Sequence, residues 1–181
     1  MALRQGDPSP GGGSMPTGGA NRPGPFGFRA GEPAEKGSEP TAIQLERLGI
    51  NTDVVAGELT LGAPTDPPSP QVTIWYRNSA LLGAPGVVLI GGKTTVTPEG
   101  PSAFTRLNEA APGDLVMLTG QNGGAYSYML DAVNAAASAP DLAAVLAQQQ
   151  TEQLLLVGWD QTYPDASANQ TLVVASGTRA S

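Results

Sequence analysis

From residue 41 onward, apolar positions gather into short runs punctuated by Gly, Pro and Asn, and the pattern reads as mostly β. Gly86-Val87-Val88-Leu89-Ile90-Gly91 is a continuous apolar run bounded by glycines, the mark of a strand buried on both faces. Gln153-Leu154-Leu155-Leu156-Val157-Gly158 and Thr171-Leu172-Val173-Val174-Ala175 repeat that pattern. Val72-Thr73-Ile74-Trp75-Tyr76 is β-branched and strand-like. Ala42 to Leu48 alternates partially, and Gly49 to Val55 reads as a turn and a further strand. Asp114 to Leu118 and Ala125 to Leu130 flank Gln121-Asn122-Gly123-Gly124, which predicts a hairpin because Asn-Gly supplies the positive φ angles of the favoured turns. Leu61 to Pro70 is a Pro-rich loop. Two short helices are expected. One spans Ser102 to Ala110, with Phe104 and Leu107 on one face. The other spans Pro140 to Leu146, with Pro in the first turn and Asp141 near the positive end. The architecture predicted is mainly β, a compact barrel or sandwich.

Residues 1–40 differ. They are crowded with Gly and Pro, as in Pro8-Ser9-Pro10-Gly11-Gly12-Gly13, and Phe26 and Phe28 are the only aromatic side chains and the largest apolar groups among them. Such a segment buries too little surface alone to offset its ordering entropy. It is expected to be an extended Gly/Pro-rich arm that packs on neighbouring subunits through Phe26 and Phe28, ahead of a barrel domain at 41–181.

Composition narrows the chemistry. The chain has no cysteine and no histidine, which removes thiolate nucleophiles, disulfides, zinc–thiolate sites and imidazole bases together. Charged residues are 14% and the net charge is −7, with Lys36 and Lys93 the only lysines. No basic cluster marks a nucleic-acid or anionic-membrane partner. No run approaches the ~20 apolar residues of a membrane span, and the first residues show no signal peptide. No close-spaced set of acids suggests calcium, no glycine spacing suggests a phosphate loop, and no metal or cofactor is expected.

The order of segments resembles the sortase family, the transpeptidases that attach proteins to bacterial cell walls or link pilins, and most nearly its actinobacterial-type housekeeping-like and short classes. Leu45-Glu46-Arg47-Leu48-Gly49-Ile50-Asn51-Thr52-Asp53-Val54-Val55 stands where a strand similar to "IPRIGVDAPVV" opens the barrel. Thr73-Ile74-Trp75-Tyr76 resembles "VGWY", and Leu82 to Lys93 resembles "PGxPGNAVLAGH". Phe104 to Val116 follows "FxxLxxLxPGDxV". The resemblance covers about residues 41–181 and implies a closed sortase-like β-barrel. It also implies a site in which a cysteine attacks, a histidine moves protons and an arginine steadies the oxyanion. Lys93 falls at the histidine position, Trp159 at the cysteine position, and Gln170 or Thr171 at the arginine position.

On these residues the chain is expected to lack catalytic groups and not to be an enzyme. Lys93 could serve as a base for Thr94, Thr95 or Thr97, or be crosslinked to an Asn or Asp, but an ordinary polar role at a strand end is the simpler reading. Trp159 would fill the cleft or anchor an interface. Asp160, Asp165, Asp131, Asp141 and Glu109 read as scattered surface acids, and Asn169-Gln170-Thr171 as a chance glycosylation triplet. The expectation is a structural or assembly subunit of a surface filament, sheath or virion, extracellular or at the cell surface. It would form a homo-oligomer or multi-protein assembly through the arm. The alternative is a module that binds a peptide or glycan in the former groove.

Overall fold

The computed structural model describes residues 37–60, 63–136, 141–147, 151–160 and 172–180. Its strands are β1 (Pro40–Leu45), β2 (Ile50–Gly57), β3 (Leu59–Thr60), β4 (Ala63–Pro64), β5 (Thr73–Tyr76) and β6 (Gly86–Lys93). They continue with β7 (Val96–Thr97), β8 (Gly100–Pro101), β9 (Leu115–Gly120), β10 (Ala125–Ala136), β11 (Glu152–Trp159) and β12 (Leu172–Arg179). One α-helix, α1 (Leu142–Leu146), and two 3-10 turns, Glu46–Leu48 and Leu107–Glu109, complete the elements.

Eight of these strands close into a barrel in the order β1-β2-β5-β6-β11-β12-β10-β9, with β9 returning to β1. The apolar pattern left barrel and sandwich open, and the closed barrel that the resemblance implied is the one that forms, leaving no unpaired sheet edge in the ring. Neighbours are antiparallel except β2 with β5 and β6 with β11.

The apolar runs explain that arrangement. Strand β6 is buried on both faces because it lies between two apolar layers. Val88 and Ile90 join Leu154, Leu156, Val116 and Leu118 inside the barrel. Val87 and Leu89 face outward onto Leu155, Val157, Trp159 and Leu142. Leu142 belongs to α1, whose start is capped by Asp141, its carboxylate accepting from the Ala144 N–H at 3.1 Å. By contrast β9 alternates exposed and buried side chains along its length, as a strand with one wet face does. The hairpin forms where Asn-Gly predicted it. Gly123 has φ 82°, and the Gly120 N–H donates to the Gly124 carbonyl at 2.8 Å.

The helix expected over Ser102–Ala110 is instead a series of turns ending in the Leu107–Glu109 3-10 turn. Its spacing did place Phe104 and Leu107 together, both fully buried. A regular helix does not form because its backbone is engaged elsewhere. The Phe104 N–H donates to the Lys93 carbonyl at 2.9 Å and the Ala103 N–H to Pro70 at 2.8 Å. The strand read through Leu48 likewise ends at Leu45.

Residues 37–40 are tied to the barrel. Ser38 exchanges two backbone hydrogen bonds with Leu82, both 2.9 Å, and Gln121 N–H donates to the Glu39 carbonyl at 2.8 Å. Phe26, Phe28, Asp165, Asn169, Gln170 and Thr171 lie outside the described residues.

Candidate functional site

The parallel pair β6–β11 places its last residues side by side: Gly91 faces Val157, Gly92 faces Gly158, and Lys93 faces Trp159. Lys93 and Trp159 are far apart in sequence and become neighbours because both strands end at the same rim in the same direction. Alternation then turns both side chains outward, on the face that carries Leu89 and Val157.

Trp159 is fully buried, packed with Ile74, Tyr76 and Leu172. Its bulk fits because position 91 is glycine. A Cβ there would lie 2.6 Å from the indole Cη2 and Cζ3 atoms and 2.9 Å from the Tyr76 hydroxyl. The indole N–H donates to Asp66 Oδ1 at 2.9 Å, and Lys93 Nζ lies 2.8 Å from the same oxygen. Lys93 Nζ is also 5.5 Å from the indole centroid, within cation–π range. The ammonium is shielded, at 15% side-chain exposure, whereas Asp66 remains 41% exposed. The cluster is therefore a carboxylate at the solvent boundary holding two donors behind it.

Asp66 had no signal in the sequence beyond its place in the Pro-rich loop. Local bonds fix that loop against the rim. The Tyr76 hydroxyl donates to the Thr65 carbonyl at 2.8 Å, the Thr65 hydroxyl to the Glu58 carbonyl at 3.1 Å, and β3 pairs with β4.

Two of the threonines after Lys93, Thr95 and Thr97, have hydroxyls engaged elsewhere. The Thr97 hydroxyl donates to the Gly100 carbonyl at 3.0 Å, and the Thr95 and Ser102 hydroxyls pair at 3.1 Å. Asp160, the next residue after Trp159, contributes to a cavity of about 250 Å³ with Thr94, Thr105, Asn108 and Val173, and its Oδ1 is buried without a hydrogen bond. The remaining acids are dispersed: Asp141 caps α1, Glu109 pairs with Arg106 at 2.7 Å, and Asp131 is exposed on β10. Among the described residues no three Asp or Glu side chains come together as a metal set. No helix there is long and apolar enough to cross a membrane.

A second polar cluster occupies the opposite end of β11. Glu152 Oε1 accepts from the Tyr128 hydroxyl, from the Gly83 N–H at 2.8 Å and from Arg179 at 3.0 Å. The Arg179 guanidinium stacks over Tyr126 and Tyr128, 4.7 and 5.7 Å from their ring centres. Burial, reinforced by the bond to Glu152, raises the Tyr128 hydroxyl pKa well above its ordinary value.

The sequence profile of the sortase domain matches residues 43–178. No curated protein matches by sequence. Among solved structures, sortase A from Corynebacterium diphtheriae superposes with a TM-score of 0.60 at 18% identity, over 80% of this chain and 62% of that one. Sortase C1 from Streptococcus agalactiae gives 0.59 at 16% identity, over 78% and 67%. A Clostridium perfringens sortase D5 transpeptidase gives 0.55 at 15% identity, over 79% of each. The chain thus spans less than two thirds of the Corynebacterium structure. The expectation that the chain is not an enzyme is overturned by the domain match, which places it in a family of transpeptidases. A barrel of this topology, matched across three quarters of its sequence, makes the chain a member of the sortase family.

Proposed function

We propose that the chain is an assembly subunit of a surface structure such as a filament, sheath or virion, with the barrel as rigid body and the N-terminal arm reaching a neighbouring subunit. One observation carries this reading. The rim position that the family resemblance assigns to the attacking cysteine holds Trp159, fully buried and hydrogen-bonded to Asp66. A buried indole there supports cleft filling over an interface anchor, and a filled cleft favours a rigid body over a peptide- or glycan-binding groove. Sortases are generally associated with the cell surface, which agrees with that setting.

The test is the quaternary state of the full chain and of a chain lacking residues 1–36, a cut that spares the Ser38–Leu82 bridge. Sedimentation should show higher-order species for the full chain and a folded monomer after truncation. A monomeric full chain, or assemblies that survive truncation, would sink the reading.

Family membership supports a second reading, peptide transfer by a route that needs no thiolate. Incubation with a sorting-type peptide and an amine acceptor, with Lys93→Ala as control, tests it. Product that appears with the native chain and disappears with the variant would establish it, and no product above background would remove it.

A further inference from the structure

The end of β11 serves both faces of the sheet. Trp159 packs outside with Tyr76 and Leu172, whereas Val173 on the neighbouring β12 belongs to the barrel interior. Asp160, one residue past Trp159, turns to Val173's side, as alternation along a strand requires. There it lines a cavity of about 250 Å³ with Thr94, Thr105, Asn108 and Val173. Asn108 is exposed and Val173 buried, so the cavity leads from the surface into the end of the barrel. Glycine at position 158 keeps this space open, because a Cβ there would lie 2.7 Å from Thr94 Cγ2.

The cavity is rich in acceptors. Asp160 Oδ1 is buried without a hydrogen-bond partner, and among the described residues no Lys or Arg is paired with this carboxylate. Lys93 is held by Asp66 on the other face, and Arg106 by Glu109 and the Leu48 carbonyl. The Thr105 hydroxyl directs its proton at the Thr95 and Ser102 carbonyls, 2.9 Å from each, so it offers the cavity lone pairs rather than a donor.

An unpaired carboxylate oxygen away from water is costly, and what relieves it is a cation with donors to spare for the neighbouring oxygens. An ammonium is compact and strongly hydrated, so it gives up its water reluctantly. A guanidinium is more weakly hydrated, and its five N–H donors lie in one plane. It therefore suits an oxygen already withdrawn from solvent and several acceptors around one space.

We propose that this cavity binds a guanidinium group, with Asp160 Oδ1 as its charged partner and the oxygens of Thr94, Thr105 and Asn108 accepting from its other N–H groups. The site lies on the opposite face of the sheet from Trp159, so it stands whether or not the chain assembles. Methylguanidinium titrated into the full-length chain should move the amide signals of Thr94, Thr105, Asn108 and Val173 together in ¹⁵N-correlated NMR spectra. They should follow one saturation curve, with a Kd on the order of millimolar for so small a ligand. Urea, the neutral planar counterpart, should leave those signals in place at the same concentrations. Asp160→Asn keeps the side chain's size and should weaken methylguanidinium binding at least about tenfold. Because it removes an unpaired buried charge, it should leave the melting temperature unchanged or raised. A clear drop would show that the carboxylate is satisfied within the chain and would overturn the site. An equal response to urea, or saturation that survives Asp160→Asn, would also overturn it. So would shifts spread evenly over Asp131 and the other exposed acids, the mark of general cation attraction to a chain of net charge −7. Two sources share this chemistry, a free guanidino compound and an arginine side chain. Tighter binding of N-acetylargininamide than of methylguanidinium assigns the site to the side chain, and weaker binding assigns it to the free compound.

Discussion

The two ends of β11 solve the same problem differently. At its start, Glu152 gathers three donors from barrel strands and the Gly83 loop, so the cluster is part of the framework. At its end, the acid comes from a loop outside the ring, and the space is filled by an indole whose shape depends on a glycine across the strand pair. One end is held mainly by hydrogen bonds, the other mainly by packing. Strand pairing dictates the first cluster, whereas the second depends on how a loop outside the ring meets the rim.

That contrast can be broken most decisively at the indole. Trp159→Ala should cost about 3–5 kcal/mol, since it deletes a buried aromatic and leaves a cavity. Denaturant unfolding measures it, and a loss below about 1 kcal/mol would mean that the rim is not packing-dominated. Gly91→Ala should cost about 1–3 kcal/mol by overpacking against the same ring. Trp159→Phe in the same chain should return part of that loss, and strict additivity of the two changes would refute the contact as the cause.

At the opposite end the expected effect is smaller. Tyr128→Phe removes one donor to Glu152 while keeping the ring, a change of about 1–1.5 kcal/mol. It should also alter the alkaline limb of stability. The Tyr128 pKa is raised in the fold above its unfolded value of 10.0, so its contribution is complete below that pH and declines as pH rises beyond it. Stability that falls equally steeply above pH 10 in the phenylalanine variant would contradict this.

The smallest effect is expected at Asp114. Its two carboxylate oxygens accept from Arg47, which together with the Ala111 N–H lowers its pKa below 3.8 despite an opposing desolvation. A lowered carboxylate contributes above its unfolded pKa and loses that contribution as pH falls through the folded value. Acid titrations of the native chain and of Asp114→Asn should therefore diverge at neutral pH and converge as pH falls through the lowered folded-state value. Parallel curves throughout would show that the pair is energetically silent.

Much of the barrel was legible because its strands bury one or both faces, and burial writes itself into apolar periodicity. The β6, β11 and β12 runs and the Asn122-Gly123 turn are direct examples. Segments stabilised by distant backbone partners were not legible. Phe104 showed the right burial but the wrong element, because its N–H bonds to Lys93 rather than within a helix. Asp66 was invisible because nothing local distinguishes a loop acid that will meet a lysine and an indole from one that faces water.

By itself the sequence determined that thiolate and imidazole chemistry are absent, that the domain is β-rich and aliphatic, and that residues 1–40 stand apart in composition. These are matters of inventory and local period, which need no partner to be defined. Tertiary structure alone decided the register in which Lys93 meets Trp159 and that Asp66 joins them. Those outcomes depend on parallel pairing and loop docking between residues far apart in the chain, which no local pattern encodes.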